Sequence, residues 1–203
     1  MDKKVEIMEA AEKLFAEHGY AETTIRQITS RISKSSAMIG YYFGSKESLV
    51  EAIINYRTTK LEQLIDHQSL KINNPLKCLY EVLARFVDKA FQQPYFYMLL
   101  NQLQSVGKEK LLIESFNTLK LNNYNFMEKI IIQGQLEGYF KRNSDINMLI
   151  AIISGTINHV LINKDYLLSC FLLGGGIAEN YNACMKKRLK STLENVITAH
   201  LCL

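Results

Sequence analysis

Basic side chains without acidic neighbours mark one segment near the N-terminus. Arg26, Arg31, Lys34 and Lys46 are the charged residues between positions 26 and 46, and no aspartate or glutamate falls among them. Over residues 1–50 as a whole, seven acids offset seven bases, because the acids lie mainly before Thr23. A local cluster of positive charge is typical of a surface that binds nucleic-acid phosphates. The sequence therefore indicates such a surface here, although the net charge of the chain is only +4.

Side chains in the same segment carry groups that suit base recognition. The guanidinium of Arg26 can donate two hydrogen bonds to a guanine, and the apolar side chains of Ala37 and Met38 suit thymine methyl groups. Each residue also has a simpler interpretation, since an isolated arginine is most often a solvated surface charge. Tyr42 fits the core as well as it fits a DNA contact, and Phe43 is expected in the core.

Three short helices are predicted to position these side chains. The first ends at Gly19, a residue type that adopts the left-handed conformation at low cost. The second begins at Thr24, whose hydroxyl can form a capping box with Gln27. The third begins after Ser35 and ends at residue 41 or 42. Two short helices joined by a short turn form the helix-turn-helix pattern, whose second helix enters the major groove of DNA.

Six further helices are predicted in the rest of the chain, which makes nine in total. A long fourth helix follows Ser45, and Pro75 and Pro94 suit the first turns of the fifth and sixth. The seventh ends at residues 134–138, an eighth follows residues 143–145, and the final helix follows the glycines at 174–176. None of the apolar stretches approaches the roughly 20 residues that a membrane span needs.

The composition excludes several classes of protein. Hydrophobic residues make up 48% and charged residues 22% of 203 residues, which excludes a disordered chain. Only two prolines and ten glycines are present, so an all-α fold is favoured over a β-sandwich or barrel.

The four cysteines lack the close paired spacing of a metal site, and no metal or cofactor is expected. Because motifs for hydrolases and phosphate loops are absent, no enzyme is expected. The N-terminus lacks the apolar segment of a signal peptide, so a cytoplasmic location is expected.

Residues 5–50 resemble the N-terminal domain of the TetR family of bacterial transcriptional regulators, almost position by position. Ile7–Tyr20 resembles that family's first helix, Thr23–Ile28 its second helix, and Ile39–Leu49 the exit from its recognition helix into the fourth helix. The resemblance implies a helix-turn-helix DNA-binding domain over residues 1–46, followed by a helical effector-binding and dimerisation domain over residues 47–203. The chain departs from the family at Lys34, where a small apolar residue is usual, and at Gly40, where an aromatic residue is common.

By this resemblance, nine residues are expected to contact DNA. Thr24 and Lys46 lie at helix N-termini that face the DNA backbone, and Tyr41 and Tyr42 occupy positions of phosphate contacts. Base recognition falls to Arg26 and to the start of the third helix. The full set is Thr24, Arg26, Ser35, Ser36, Ala37, Met38, Tyr41, Tyr42 and Lys46.

The eighth helix carries more apolar residues than one packing face requires, which predicts a second surface for a partner. The final helix offers another apolar stripe, and two such helices from each subunit form a four-helix bundle. The homodimer interface is therefore expected at Ile153, Ile157, Leu189, Leu193, Val196 and Ile197.

Aromatic and methionine residues between Phe86 and Met127 suit an apolar ligand cavity, although such residues at helical spacing are usually core. The candidates are Phe86, Tyr97, Phe116, Tyr124, Met127 and His159. For His159, a hydrogen-bonded place in the core is the simpler interpretation. The basic run at 186–190 could be a second nucleic-acid surface, but a solvated helix face fits the surrounding apolar pattern better.

Together these features predict a TetR-like DNA-binding transcriptional regulator, acting as a repressor that a small apolar ligand releases from a palindromic operator. The expected partners are double-stranded operator DNA, a second copy of the chain and a small-molecule effector, with no membrane. The fourth helix is expected to couple the two domains through its Leu61, Leu64 and Ile65 end. The alternative is a helical DNA-binding adaptor that binds constitutively without an effector.

Overall fold

The computed structural model describes residues 2–33, 35–62, 74–106 and 110–202, and all α-helices and the 3-10 turn named below lie in these ranges. In this part of the chain the regular structure is helical throughout, which confirms the all-α prediction. The α-helices are α1 Lys3–His18, α2 Ile25–Arg31, α3 Ser36–Phe43, α4 Lys46–Glu62, α5 Pro75–Gln92, α6 Pro94–Val106, α7 Lys110–Leu136, α8 Ile146–Ile162, α9 Lys164–Leu173 and α10 Tyr181–Leu201, with a 3-10 turn at Ala178–Asn180.

The helix starts follow from local capping. Thr24 accepts a hydrogen bond from the backbone N–H of Gln27 at 3.3 Å, and the Gln27 side chain accepts from the backbone N–H of Thr24 at 2.6 Å, so the predicted capping box is present. Asn74 caps α5 directly before Pro75, and the Asp145 side chain caps α8. Gly19 ends α1 with a φ of 92°, a conformation that favours glycine.

The described residues form ten α-helices instead of the nine predicted, because α9 is separate from α8. The chain bends by 75° between these two helices at Asn163, where no side-chain cap is present. The sequence carries neither glycine nor proline at that point, so the usual breaking signal is missing. The third helix also continues to Phe43, one residue beyond the predicted end. The side chain of Leu61, together with Leu64 and Ile65, lies outside the described part of the structure.

One compact unit contains residues 1–63 and 95–121. Its core takes side chains from α1, α2, α3, α4 and α6, including Phe15, Ile28, Ile39 and Phe96, each at most 1% exposed. Full burial of a side chain of this size stabilises the fold by about 1.5–3 kcal/mol. Helices on both sides of residue 46 share this core, and the domain boundary expected there remains a prediction.

A second compact unit contains residues 64–94 and 122–203. Here α10 packs against α5 and α8, and Leu79, Leu149 and Leu193 are fully buried. Asp88 of α5 forms ion pairs with Lys190 at 2.7 Å and Lys186 at 3.5 Å. Partial burial acts to raise the pKa of Asp88, but these two lysines leave it below its ordinary value. Two cations of the basic run therefore bind an acid of their own unit, which fits the solvated helix face.

No single helix among the described residues is long and apolar enough to cross a membrane, although α8 and α9 pass that criterion together as a bent pair. Among the same residues, no group of three or more histidine, cysteine or acidic side chains is placed to hold a metal ion.

Candidate nucleic-acid interface

The core fixes which face of α3 is presented to solvent. Ile28 of α2 and Ile39 of α3 are both buried at 1% exposure or less, and they hold the two helices against α1 and α4. The turn between them passes through Ser33, which has a left-handed φ of 53°. With Ile39 turned inward, Ala37 and Tyr41 lie on the exposed side of the helix.

The start of α3 places the predicted base-contacting residues at its open end. Ser35 caps the helix, and its hydroxyl accepts a hydrogen bond from the Ala37 N–H at 3.2 Å. Ala37 is exposed and Met38 is half-buried, so Ala37 is the more accessible of the two. The side chain of Ser36 lies outside the described part of the structure.

The two tyrosines of α3 have different surroundings. Tyr41 is 83% exposed, whereas Tyr42 is half-buried and packs against the core of the first unit. Their rings meet edge to face at 5.0 Å, and the ammonium of Lys4 lies 5.8 Å from the Tyr42 ring centroid. Phe43 also packs against the core while keeping partial exposure. Tyr42 thus packs between the core and the Tyr41 ring, and Tyr41 is the exposed ring that can contact a ligand.

A groove of about 510 Å³ lies between the end of α1 and α2. The polar side chains of His18, Thr24, Arg26, Ser30 and Arg31 line it, and Arg26 and Arg31 are exposed. In the described ranges, neither arginine has a carboxylate within ion-pair distance. Both guanidinium groups therefore remain available for an anion such as a DNA phosphate or for the edge of a base.

Lys46 is held beside the turn that joins α1 to α2. Its ammonium donates to the Ala21 carbonyl at 3.4 Å and lies 4.3 Å from the centroid of the Tyr20 ring. The hydroxyl of Tyr20 in turn donates to the Glu47 carboxylate at 3.0 Å. Hydrogen bonds from the backbone N–H of Glu47, then from Ser45 and Tyr20, lower the pKa of Glu47. An ammonium has three donors, so Lys46 in this position can still donate to a phosphate.

Sequence reasoning missed the partners that fix these positions. Tyr20 contacts Lys46 and Glu47, and these contacts join the end of α1 to α4 across more than twenty residues. The second missed contact is an ion pair between Glu12 and Arg57, in which Glu12 is 4% exposed. The only sequence signal was a glutamate within the apolar face of α1 at position 12.

The candidate ligand residues are distributed over both units. Tyr97 belongs to the first unit, where burial raises its pKa to about 12. In the second unit, Phe86 is half-buried, Met127 is buried, and the hydroxyl of Tyr124 donates to Glu128 at 3.0 Å. The side chain of Phe116 lies outside the described part of the structure.

The expectation that His159 lies in the core is wrong. The side chain is exposed on α8, and the Asn163 amide lies 3.2 Å from its Nδ1. It lines a groove of about 460 Å³ between α8, α9 and α10, together with Cys170 and Arg188. The prediction failed because His159 lies on the exposed face of α8, although Ile157 and Leu161 on either side of it are buried.

Most residues predicted at a dimer interface are buried inside the chain itself. Five of them are at most 8% exposed, and Val196 is half-buried; the five are Ile153, Ile157, Leu189, Leu193 and Ile197. They pack where α8 and α10 meet within one subunit, so they have little surface left for a partner. An apolar stripe in a sequence does not distinguish a core from an interface. The large apolar residues exposed on α8 are instead Met148, Ile152 and Ile162.

Comparison with known proteins relates the segment that carries these residues to bacterial regulatory proteins. Residues 7–53 match the family model of the bacterial regulatory proteins of the tetR family. The chain is similar to the HTH-type transcriptional repressor NicS of Pseudomonas putida, with 27% identity over 169 residues, covering 82% of this chain and 78% of NicS.

Two solved structures share the fold. A TetR transcription regulator from Haloarcula marismortui superposes with a TM-score of 0.72 at 22% identity, covering 98% of each chain. The transcriptional regulator FadR from Bacillus subtilis, solved in complex with stearoyl-CoA, superposes with a TM-score of 0.70 at 16% identity, covering 94% of this chain and 97% of that one. In both, the likeness extends over nearly the whole chain.

Proposed function

We propose that this chain, which belongs to the TetR family of bacterial transcriptional regulators, represses transcription by binding a palindromic operator as a homodimer. A small apolar molecule then releases the protein from the operator. It is a DNA-binding regulator and not an enzyme. The observation that carries the proposal is the acid-free surface of α2 and α3. That surface presents the exposed Arg26, Ala37 and Tyr41 within the segment that the family model matches.

In the proposed complex, α3 lies in the major groove and α2 crosses the DNA backbone. Ala37 and Met38, with Ser36, contact base edges near the start of α3, and Arg26 contacts a guanine from α2. Thr24, Ser35, Tyr41, Tyr42 and Lys46 contact the sugar-phosphate backbone. Lys46 is already oriented for this role, because Tyr20 and the Ala21 carbonyl hold its ammonium at the end of α1.

One α3 contacts too few base pairs to select a site, which favours a dimer on a two-fold symmetric site. The exposed face of α8 suits the contact between subunits. Five exposed residues of α8 are spaced by four, three, four and three positions, which keeps them in one stripe along the helix. They are Met148, Ile152, Gly155, His159 and Ile162. Glycine at the centre of the stripe allows a second helix to approach closely.

A mainly apolar effector is favoured by the aromatic and methionine residues of α5, α6 and α7. The similar fold of the FadR complex contains stearoyl-CoA, a molecule with a long apolar chain. A ligand can release DNA only if it binds the released form of the protein more tightly than the DNA-bound form.

The test is to select bound duplexes from a random pool with the full-length chain. Enrichment of an inverted repeat, with half-sites separated by about one helical turn or a multiple of it, would support a dimeric operator-binding protein. Fatty acids and acyl-CoA thioesters of increasing chain length would then be added to the complex. If none of them lowers DNA affinity, the apolar effector is wrong, and enrichment of no sequence would contradict the proposal as a whole.

A further inference from the structure

The exposed face of α3 lacks the side chains that hold a base by two hydrogen bonds. From Ser35 to Ser45 the sequence contains no lysine, arginine, histidine, acid or amide residue. Paired hydrogen bonds to guanine need arginine or lysine, those to adenine need asparagine or glutamine, and cytosine is recognised by an acidic side chain. The helix that enters the groove can therefore offer only hydroxyl groups, apolar groups and its own backbone.

The hydroxyl groups of α3 discriminate poorly between bases. Ser35 already accepts the capping hydrogen bond from Ala37, and a serine hydroxyl can donate to or accept from several base edges. The phenol of Tyr41 stands at the far end of the exposed face, where a backbone phosphate is the expected partner. Direct recognition at the centre of the helix is thus left to the apolar surface around Ala37.

Gly40 leaves the exposed face of α3 without a side chain at this position. A methyl group added at Gly40 would meet no atom of the described chain within 4 Å, so no internal contact requires a glycine there. Glycine in a helix interior costs about 1 kcal/mol relative to alanine. Ala37 and Gly40 are three residues apart and both are exposed, so they contribute one methyl group and bare backbone to the surface of α3.

The apolar group that base pairs present in the major groove is the 5-methyl group of thymine. Resting on the proposed operator binding, we propose that α3 recognises thymine methyl groups through Ala37 and the open surface at Gly40. Each half-site then has thymine where α3 meets the bases. Paired hydrogen bonds to guanine then come from α2, where Arg26 is the proposed contact. Close approach at Gly40 is what brings these methyl groups into van der Waals contact.

The test replaces thymine by uracil in the duplex selected from the random pool. Uracil removes only the methyl group and keeps the hydrogen-bonding groups of the major groove. Symmetric substitution of a contacted thymine in both half-sites is expected to weaken binding about 16-fold, which is fourfold for each buried methyl group. Uracil in place of a thymine outside the half-sites is the control and should leave affinity unchanged. Equal affinity for the uracil and thymine operators would overturn the proposal.

Two variants assign the contact to residues of α3. In Ala37→Gly, the ratio of thymine to uracil affinity should fall towards one at a single position. Because both duplexes are measured with the same protein, any loss of helix stability cancels from that ratio. Gly40→Ala should raise the melting temperature and yet weaken operator binding at least tenfold. A Gly40→Ala protein that is more stable and binds the operator as tightly as the wild type would contradict the close approach.

The selected consensus separates thymine recognition from operator binding itself. A palindromic consensus whose half-sites have guanine and cytosine opposite α3 would leave operator binding intact and would overturn thymine recognition. A pool that yields no consensus would overturn both. Cytosine in place of a contacted thymine provides a gain-of-binding measurement, since 5-methylcytosine at that position should recover about fourfold per half-site over cytosine. No recovery would count against the methyl contact.

Discussion

Arg57 of α4 binds Glu12 of α1 through two contacts, at 2.7 Å from Nε to Oε2 and 3.1 Å from Nη2 to Oε1. Glu9 lies farther away, 3.9 Å from the same guanidinium group. Burial raises the pKa of Glu12 above its ordinary value, although the hydrogen bond and charge of Arg57 act to lower it. The ion pair therefore fixes α1 against α4, and each buried charge depends on the other.

Loss of one partner should destabilise the chain more than loss of both. Arg57→Met is expected to lower the free energy of unfolding by about 3–5 kcal/mol, because Glu12 is left buried without its partner. The double variant Glu12→Leu/Arg57→Met should lose less stability than Arg57→Met alone. Urea denaturation of the four proteins gives the coupling energy. Glu17→Ala is the control, since its exposed ion pair with Lys13 contributes about 0–1 kcal/mol. Additive effects at 12 and 57 would contradict the pair.

The raised pKa of Glu12 also predicts a pH dependence of stability. Since the folded state binds this proton more readily than the unfolded state, stability falls as the pH rises from the ordinary value of 4.5 through the folded pKa. The glutamine side chain of Glu12→Gln does not titrate, so this variant is the reference. The unfolding free energy of the wild type relative to Glu12→Gln should therefore decrease as the pH rises above 4.5. A relative stability that rises over that interval would show that Arg57 outweighs burial.

The local signals in the sequence were sufficient for the helix-turn-helix. The Thr24 capping box, the Ser35 cap and the stop at Gly19 are all present in the structure, because each depends on side chains within a few residues of the backbone that they cap. The contacts of Tyr20 with Glu47 and of Glu12 with Arg57 depend on residues far apart in the sequence. Neither composition nor spacing specifies such pairs.

Apolar periodicity was less informative in the second half of the chain. It identified α8 and α10 correctly as helices with strong apolar faces. It assigned Ile153 and Leu193 to a partner subunit, whereas both are buried between helices of their own chain. Burial lowers the free energy of an apolar side chain equally in a core and in an interface, so the pattern is the same in both cases. At Asn163, where the chain bends between α8 and α9, the sequence has no glycine or proline that would predict the end of a helix.

Arg26 and Lys46 should affect DNA binding in different ways. Arg26→Ala is expected to weaken the selected operator by about 1–3 kcal/mol while barely changing affinity for random DNA. Lys46→Gln should weaken both DNAs alike and reduce the slope of log affinity against log salt by about one. Arg31→Ala is the matched control for charge on α2, and should also weaken both DNAs alike. Fluorescence anisotropy over a salt series measures all three, and equal loss on both DNAs for Arg26→Ala would remove it from base recognition.

A charge on the exposed stripe of α8 should separate the proposed dimer. Ile152→Glu is expected to give folded monomers with reduced operator affinity, since Ile152 is 37% exposed and lies beside Gly155 in the stripe. Ile132→Glu is the matched control, because this isoleucine is 44% exposed on α7. Ile153→Glu should instead unfold the chain, as its side chain is 8% exposed. Light scattering with circular dichroism distinguishes the three outcomes. An Ile152→Glu protein that remains dimeric would place the interface elsewhere.

The effector, if it releases DNA, must itself bind less tightly to the DNA complex. Coupling between two sites is reciprocal, so a ligand that lowers operator affinity 100-fold loses 100-fold in its own affinity when the operator is bound, about 2.7 kcal/mol. Acyl-CoA thioesters that lower DNA affinity should be titrated calorimetrically into the free protein and into its complex with the selected operator. The two dissociation constants of the ligand are expected to differ by the factor by which the ligand lowers operator affinity.

A mutated duplex that the protein does not bind is the control, and should leave ligand affinity unchanged. Equal ligand affinities with and without operator would mean that the two sites are uncoupled. A protein that binds its operator equally well at every ligand concentration would be the constitutive adaptor.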